Sequence, residues 1–385
     1  MEKSYPTTNN FKFDIISPKL KPIDCFNIPI SFLPYSNCLL LVDNDMVFIS
    51  TDAGVVSVDL NKKQTVWEMK VEATIRGQML LLDNVLLIQC ENHLYAINPI
   101  NGELLWKFYY PRFYSFLTTP VIKNNIVYLR HRKAITGIDL KTGKKKYKAT
   151  TKYTQKDDWP GETYAGMSIL GNRLYTQTGN KKEKYFLESC DIETGELASP
   201  IEIPFACDDY FFRDGLQVNN LFFFVSSCEA HRRIKTEFTN SRLFCILDLL
   251  TGKMTYHRLG GGRAKECSNI VHHLGKVYFC IHKSGLASES GCIYVYDIEK
   301  GSEPEILTTD CTAKFLAVSK NSLFAVEEMN ICFKEYDFDG NQLNSFFADK
   351  DNAFYKWSNI VAKEDKTYIS YIDENDEIKL LILGD

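Results

Sequence analysis

The sequence predicts an all-β fold built from one repeated unit of four short strands, and three observations predict it. Short segments rich in Val, Ile, Leu, Tyr and Phe alternate with turn-forming residues along the 385-residue chain. A hairpin turn with Asp or Asn at its start and Gly four positions later recurs between such segments. The unit repeats about every 46 residues, a period typical of a propeller blade. We therefore expect a single β-propeller, most simply with eight four-stranded blades.

The clearest copy of the hairpin covers residues 94–108. Two apolar segments, 94–97 and 104–108, flank a turn in which Gly102 is free to adopt a positive φ. A large aromatic ring follows the Asp or Asn by eight residues in four copies, whereas Ser or Glu takes that position in two others. The hairpin positions are Asp59/Lys63, Asn98/Gly102, Asp139/Gly143, Asp191/Gly195, Asp248/Gly252, Asp297/Gly301 and Asp337/Gly340, and the residues at the ring position are Trp67, Trp106, Tyr147, Ser199, Tyr256 and Glu305.

A second turn residue precedes an apolar strand in every unit. These turn residues are Asp45, Asn84, Asn125, Asn172, Asn219, Gly275, Asn321 and Asp365. Each unit then has four strands, A to D, with A–B and C–D turns at one end and B–C and D–A connections at the other. The pattern gives eight units between about residues 39 and 383.

The last unit, 358–383, ends before its D strand. The segment 23–32 has no A–B–C strands of its own, so we expect it to supply that strand and close the propeller, which removes an exposed sheet edge. The predicted organisation is an N-terminal arm over residues 1–22 and a propeller over 23–385. Seven blades remain the alternative if one unit is not a complete blade.

The segment Leu94-Tyr95-Ala96-Ile97-Asn98-Pro99-Ile100-Asn101-Gly102-Glu103-Leu104-Leu105-Trp106 resembles the repeat of pyrroloquinoline-quinone-like (PQQ-like) β-propellers. The units at Asp139, Asp191 and Asp248 match the Asp-x-x-Thr-Gly part of that repeat. The resemblance implies the propeller fold across about residues 39–383. It implies little about function, because the family contains quinoprotein dehydrogenases, a barrel-assembly lipoprotein and proteins with no cofactor.

Composition narrows the classes of partner and compartment. The formal net charge of −4 gives no overall attraction to nucleic acid or to anionic membranes. The twelve cysteines show no Cys-x-x-Cys and no zinc-site spacing, so we expect reduced structural thiols. We see neither an apolar segment near the first residues nor a membrane-spanning stretch. The expectation is a cytoplasmic protein, monomeric when free, that binds neither nucleic acid nor membrane.

The predicted connections are uneven. The A–B and C–D turns are tight, whereas long B–C and D–A connections occur in units four to six: residues 153–165, 179–184, 204–214, 228–241, 259–267 and 282–291. These connections leave the same end of the strands, so they predict one built-up face over blades four to six. Long loops on a rigid scaffold often carry function.

Enzyme chemistry finds no support in the sequence. There is no adjacent Cys pair for a quinone site, and Trp67 and Trp106 are explained by blade packing. The Gly260-Gly261-Gly262-Arg263 segment lacks the Lys-Ser/Thr of a P-loop, and His272 and His273 are expected on opposite faces of a strand. Acidic pairs such as Glu327-Glu328 are expected to be solvated. We predict no enzyme, no cofactor and no metal.

A protein-binding surface fits the long connections better, because they mix charges with aromatic residues. The predicted partner is a protein, and the most concrete version is an immunity protein that binds a bacterial toxin domain stoichiometrically. The alternative is a small-molecule- or sugar-processing propeller enzyme, quinoprotein-like, with a site in the central channel. The predicted partner-binding residues are Asp157, Asp158, Trp159, Asp208, Asp209, Tyr210, Phe211, Phe212, Arg232, Arg233 and Lys235.

Overall fold

A computed structural model describes most of the chain. The described residues are 11–15, 21–30, 39–51, 53–72, 75–90, 92–110, 120–131, 134–150, 167–179, 185–203, 215–228, 241–259, 266–282, 291–309, 311–327, 332–348, 356–372 and 377–384. Within them the chain forms 34 strands and no helix. The strands make eight separate antiparallel sheets, so the fold is an eight-bladed β-propeller and the seven-blade alternative is excluded.

The strands follow one another along the chain from two N-terminal strands, β1 (Phe11–Ile15) and β2 (Lys21–Ile28), to the eighth blade. Blade one contains β3 (Leu39–Asp43), β4 (Met46–Ser50), β5 (Gly54–Asp59) and β6 (Gln64–Lys70), and blade two contains β7 (Ile75–Leu82), β8 (Val85–Cys90), β9 (His93–Ile97) and β10 (Leu104–Tyr109). Blade three contains β11 (Val121–Lys123), β12 (Ile126–His131), β13 (Ala134–Asp139) and β14 (Lys145–Thr150), and blade four contains β15 (Met167–Leu170), β16 (Arg173–Gly179), β17 (Tyr185–Asp191) and β18 (Ile201–Ile203). Blade five contains β19 (Leu216–Val218), β20 (Leu221–Cys228), β21 (Ser241–Asp248) and β22 (Met254–Leu259), and blade six contains β23 (Glu266–Cys267), β24 (Val271–His273), β25 (Lys276–His282), β26 (Cys292–Asp297) and β27 (Glu305–Thr309). Blade seven contains β28 (Ala313–Val318), β29 (Leu323–Glu327), β30 (Cys332–Tyr336) and β31 (Gln342–Ala348), and blade eight contains β32 (Lys356–Lys363), β33 (Lys366–Ile372) and β34 (Ile378–Gly384).

The chain divides into two compact units. Unit 1 comprises Met1–Ile75, Asn98–Glu103 and Glu266–Asp385 and contains blades one, six, seven and eight. Unit 2 comprises Arg76–Ile97 and Leu104–Lys265 and contains blades two to five. In unit 2, the apolar faces of blades two and three share one core cluster that includes Leu87, Trp106 and Ile138.

The N-terminal strand β2 completes blade eight, which confirms that an N-terminal strand supplies the missing D strand. It pairs antiparallel with β34 from Lys21 opposite Gly384 to Ile28 opposite Ile378, with one bulge. Ile28 is 3% exposed and joins the core cluster that contains Ile378. The strand β1 lies in the segment predicted as an arm, and it pairs with β31 as a fifth, outer strand of blade seven.

The A–B turns are tight, as predicted, because their residues adopt the positive φ that two-residue hairpins require. Asp83 and Asn84 have φ of 47° and 59°, and Asn124 and Asn125 have φ of 51° and 58°. Asn and Asp tolerate this conformation better than other non-glycine residues, and it matches the twist of the flanking strands.

The Asp-x-x-Thr-Gly hairpin holds itself together through the Asp carboxylate. In blade three, Asp139 Oδ1 accepts hydrogen bonds from the Thr142 N–H at 2.9 Å and from the Thr142 hydroxyl at 2.8 Å. The Gly143 N–H donates to the Asp139 carbonyl at 2.9 Å. The bonds from Thr142 hold the pKa of Asp139 below its ordinary value, because they stabilise the carboxylate.

In blades one to three, the aromatic ring at the end of the hairpin packs on the Gly of the next blade's turn. The Trp106 indole lies against Gly143, and its N–H donates to the Leu140 carbonyl at 2.8 Å. Trp67 lies in the same way against Gly102 and donates to the Pro99 carbonyl at 2.9 Å. The two tryptophans are therefore blade-packing residues, as the sequence indicated.

Three copies depart from the predicted ring position. Beside Gly252 and Gly340 the packing residues are Ile201 and Leu307, each two positions beyond the Ser199 and Glu305 of the sequence pattern. These two blades have long C–D turns, 192–200 and 298–304, which shift the packing residue along the chain. The third departure is Tyr256, which occupies the predicted position but is 41% exposed.

Replacing Gly143 by alanine should destabilise the protein more than replacing Gly275. Both glycines have positive φ, 68° and 77°, so each substitution incurs backbone strain of about 1–2 kcal/mol. A Cβ at Gly143 would lie 2.7 Å from the Trp106 ring, whereas one at Gly275 meets nothing within 4 Å. We expect Gly143→Ala to cost about 1–3 kcal/mol more, from displacement of the ring. Urea unfolding of both variants measures the difference, and equal losses would show that the ring does not constrain Gly143.

Candidate functional site at the B–C and D–A strand ends

The longest connections of unit 2 join strands at the B–C and D–A end of the blades. They cover 110–120, 151–166, 204–215 and 229–240, whereas each A–B turn in this unit has two residues. In a meander, these two kinds of connection leave the same end of the strands. These four connections therefore lie at the expected end, but the prediction that all C–D turns are tight is wrong for blade four, whose C–D turn 192–200 lies at the opposite end.

One connection differs from the prediction that long connections occur in units four to six. The connection from β10 to β11, between blades two and three, covers 110–120. Blade six has its own B–C connection, 283–291, and belongs mainly to unit 1. The described framework of the candidate site is therefore that of blades three to five in unit 2.

All of the predicted partner-binding residues lie outside the described residues. Their assignment therefore stays a prediction, and what the structure adds is the framework from which their connections leave. These residues are Asp157, Asp158, Trp159, Asp208, Asp209, Tyr210, Phe211, Phe212, Arg232, Arg233 and Lys235. The Gly260-Gly261-Gly262-Arg263 segment also lies outside the described residues.

A buried charged cluster ties blade three to blade four near this end of the strands. Arg130, the next-to-last residue of β12, is 7% exposed, and its Nη1 donates to Thr176 Oγ1 of β16 at 2.7 Å. Thr176 is opposite Glu188 of β17, whose side chain is 2% exposed. Burial lowers the pKa of Arg130 to about 10, although the Glu188 carboxylate acts in the opposite direction, so the guanidinium stays charged at pH 7.

This cluster was not predicted from the sequence. The available signal was a charged residue within an otherwise apolar strand segment: Arg130 follows Val127, Tyr128 and Leu129, and Glu188 follows Phe186 and Leu187. Buried charges are costly unless they are paired and hydrogen-bonded, so such residues point to a specific contact. The cluster lies on β12, β16 and β17, and β16 and β17 carry the connection 180–184.

Blade seven, in unit 1, contains a buried ion pair that corrects one prediction. Glu327 was expected to be solvated, but its side chain is fully buried. Its Oε1 accepts a hydrogen bond from Lys334 Nζ at 2.9 Å and lies 3.2 Å from the donating N–H of Thr312. The lysine comes from the neighbouring strand β30, so the carboxylate is neutralised within the blade. Glu328 lies outside the described residues.

The histidine pair at the end of β24 includes one ring, His273, that packs against a neighbouring aromatic side chain. The His273 ring stacks on Phe338, with ring centroids 4.4 Å apart and an angle of 9° between the ring planes. Burial lowers the pKa of His273, and the neighbouring His272 lowers it further. Among the described residues no group of three or more His, Cys, Asp and Glu side chains could hold a metal ion.

Stability should fall as the pH is lowered from 7.5 to 5.5, in part through His273. Its folded-state pKa lies below the ordinary value, so the unfolded chain takes up the proton first. The stabilisation is therefore complete above about pH 6.5 and is lost as the pH falls through the folded-state pKa. We expect His273→Phe to reduce this pH dependence, measured as urea midpoints at both pH values. An unchanged difference between the two midpoints would exclude His273 as a contributor.

The described cysteines are free thiols, and most are buried. Cys90, Cys245 and Cys280 are each 0% exposed, and they lie in strands where they pack as small apolar residues. In the described part of the chain, no helix is long and apolar enough to cross a membrane.

A family model matches part of the sequence. The model described as outer membrane protein assembly factor BamB matches residues 36–202, which include blades one to four. A search of curated proteins found no significant match.

Solved structures with the same fold cover most of the chain at low identity. BamB from Moraxella catarrhalis has a TM-score of 0.60 and 12% identity, covering 95% of this chain and 100% of that one. A europium-containing methanol dehydrogenase has a TM-score of 0.63 and 12% identity, covering 95% and 93%. The computationally designed Ika8 protein has a TM-score of 0.60 and 13% identity, covering 92% and 98%. At these identities the likeness concerns the fold.

Proposed function

This chain is built from repeats of the PQQ-like β-propeller family, and from that premise we propose that it is a non-catalytic protein that binds a protein partner. The partner contacts the B–C and D–A connections of blades four and five. The single observation that carries this proposal is the concentration of long connections, 151–166, 204–215 and 229–240, at one end of rigid strands in unit 2.

The composition of these connections supports a protein surface. They bring aromatic residues, Trp159 and Tyr210, into the same segments as charged residues such as Asp157 and Arg232. Aromatic residues and arginine are the side chains most enriched at the centres of protein interfaces. The matching family model is described as an assembly factor for outer membrane proteins, and such a role requires contact with other proteins.

The framework under the connections also supports the proposal. The Arg130–Thr176 hydrogen bond and the buried Glu188 fix blade three against blade four close to the strand ends. A fixed base limits the entropy that the connections lose on binding, which favours affinity. The base itself is fully packed, so in our proposal the connections make the contacts and the strands position them.

In its most specific form the proposal is that the partner is a bacterial toxin domain. The protein would then act as a cytoplasmic immunity protein, monomeric when free, that blocks the toxin's active cleft by one-to-one binding. The large one-sided connections on a divergent propeller motivate this version. Co-expression with the captured partner tests it: growth should be rescued by the wild-type protein and not by a variant that carries alanine at Trp159, Tyr210 and Arg232.

The experiment that tests the general proposal is an affinity capture from lysate of the native host. The test variant carries Trp159→Ala, Tyr210→Ala and Arg232→Ala. The matched control carries Leu250→Ala, Tyr256→Ala and Lys253→Ala in the C–D hairpin of blade five, where Leu250 and Tyr256 are 73% and 41% exposed and Lys253 is exposed. We expect one stoichiometric partner with the wild type and the control, lost with the test variant. A partner retained by the test variant would place binding elsewhere on the protein.

A further inference from the structure

We propose that the outer edge of β14 accepts an acidic, extended peptide segment of a partner protein as a fifth, antiparallel strand of blade three. This surface is separate from the connections of blades four and five. The proposal rests on three features of the structure: the outer edge of β14, to which no other described strand is added, its lysine-rich side chains and the precedent of a fifth strand in blade seven.

The edge of β14 is available for pairing. It is the outermost strand of its sheet, whose order is β11-β12-β13-β14, and among the described strands only β13 pairs with it. An outermost strand presents unpaired backbone N–H and C=O groups, which are the groups that recruit an additional strand.

The same chain shows that such an edge accepts a fifth strand. In blade seven, β1 pairs with the outer side of β31, from Ile15 opposite Asn344 to Phe11 opposite Ala348. The outer strands β31 and β14 each have a bulge near their start. In β31 the bulge is opposite the Glu335–Tyr336 step of β30, and in β14 it is opposite the Gly137–Ile138 step of β13. Alignment on the bulges places Tyr147 of β14 at the position of Asn344. The segment of β14 from Tyr147 to Thr150 therefore corresponds to the segment of β31 that receives β1.

The side chains along this edge select for negative charge. Lys145, Lys146 and Lys148 are exposed on β14, and Lys141 and Lys144 are exposed in the turn before it. Among the described residues, the one ion pair made by these five lysines joins Lys146 Nζ to Asp139 Oδ2 at 3.8 Å, with the lysine 55% exposed. Such an exposed pair neutralises little charge. The overall charge of the protein is −4, so this edge is a local positive surface.

The lysines also explain why the edge does not pair with itself. Like charges opposite one another destabilise a pair of strands, so a second copy of β14 is repelled. An acidic strand instead places carboxylates beside Lys148, with Lys145 and Lys146 just before the paired segment, and opposite charges across a strand pair are stabilising. The same residues thus prevent self-association and favour an acidic partner. A peptide partner fits better than a nucleic acid, because the edge offers backbone N–H and C=O groups that can pair with another strand.

The test uses a fluorescent octapeptide of alternating Val and Glu, with anisotropy as the readout. We expect saturable binding to the full-length protein that weakens with salt. The triple variant Lys145→Glu, Lys146→Glu and Lys148→Glu should weaken binding at least about tenfold. The control variant Lys62→Glu, Lys253→Glu and Lys300→Glu makes the same charge change on turns of other blades, where Lys62 and Lys300 are 72% and 70% exposed, and should bind like the wild type.

Two further probes separate strand addition from simple charge attraction. An octapeptide of the same sequence that is N-methylated throughout keeps the carboxylates but lacks N–H donors, and we expect it not to bind. A thymidine pentanucleotide has four phosphate charges, equal to the four Glu carboxylates of the peptide, and we expect it to bind at least about tenfold more weakly than the peptide. Equal binding by either probe, or no binding by the unmodified peptide, would overturn the proposal. The methylated peptide decides the question on the wild-type protein even if the triple variant fails to fold.

Discussion

Removal of residues 1–30 should abolish folding, whereas removal of residues 1–20 should leave a folded protein. The longer deletion takes away β2, which pairs along the whole of β34. It also removes Ile28 from the core and the contacts of Asp24 with Lys63, at 2.6 Å, and of Asn27 with Glu377, at 2.7 Å. The bared edge of β34 consists mainly of Leu and Ile, and an exposed apolar edge promotes aggregation.

The shorter deletion is the matched control, because it removes β1 and keeps β2. Blade seven then keeps its four strands, β28 to β31, and loses only the outer one. Circular dichroism and size-exclusion chromatography of both proteins after expression measure the outcome. A soluble, cooperatively unfolding product of the 1–30 deletion would show that blade eight does not depend on the N-terminal strand.

Replacement of Trp106 by alanine should lower the free energy of unfolding by about 3–5 kcal/mol, the range for large aromatic residues in cores. The indole is 9% exposed, packs on Gly143 and belongs to the core cluster that blades two and three share. Its loss leaves a cavity and deprives the Leu140 carbonyl of a hydrogen-bond donor at 2.8 Å.

Tyr256→Ala provides the control for the loss of Trp106. Tyr256 occupies the same position of the repeat in blade five, but it is 41% exposed, so we expect a loss of about 1 kcal/mol or less. Urea unfolding of the two variants and the wild type gives the comparison. Similar losses in the free energy of unfolding for Trp106→Ala and Tyr256→Ala would contradict this account. They would mean that an aromatic residue at this position of the repeat stabilises the protein equally whether or not it packs on the next blade.

The repeat itself could be predicted because its determinants are local. Asn84 and Gly143 adopt positive φ in turns whose residue types reveal that conformation. The count of strands then required an N-terminal strand to complete blade eight. Local turn chemistry and the spacing of turns therefore favoured eight blades over seven and predicted the pairing of the two ends of the chain.

Features that depend on distant partners could not be predicted in the same way. Arg130 and Thr176 are 46 positions apart, and only the packing of two blades brings them together. Glu327 looked solvated because its partner, Lys334, lies on the next strand. Ile201 replaced the expected packing residue because a longer turn moved the strand along the chain. Strand β1 has five residues, too few for its pairing with β31 to be read from pattern alone.

The central claim is that a protein partner contacts the connections at the B–C and D–A end of blades four and five. Photo-cross-linking in the native host tests this most directly, with a photoreactive amino acid placed at position 159 or 210, or at position 250 in the C–D turn of blade five. Leu250 is 73% exposed and lies at the opposite end of the blade, so it is the matched control. We predict one discrete adduct from positions 159 and 210 and none from position 250. Adducts from position 250 alone would contradict the claim.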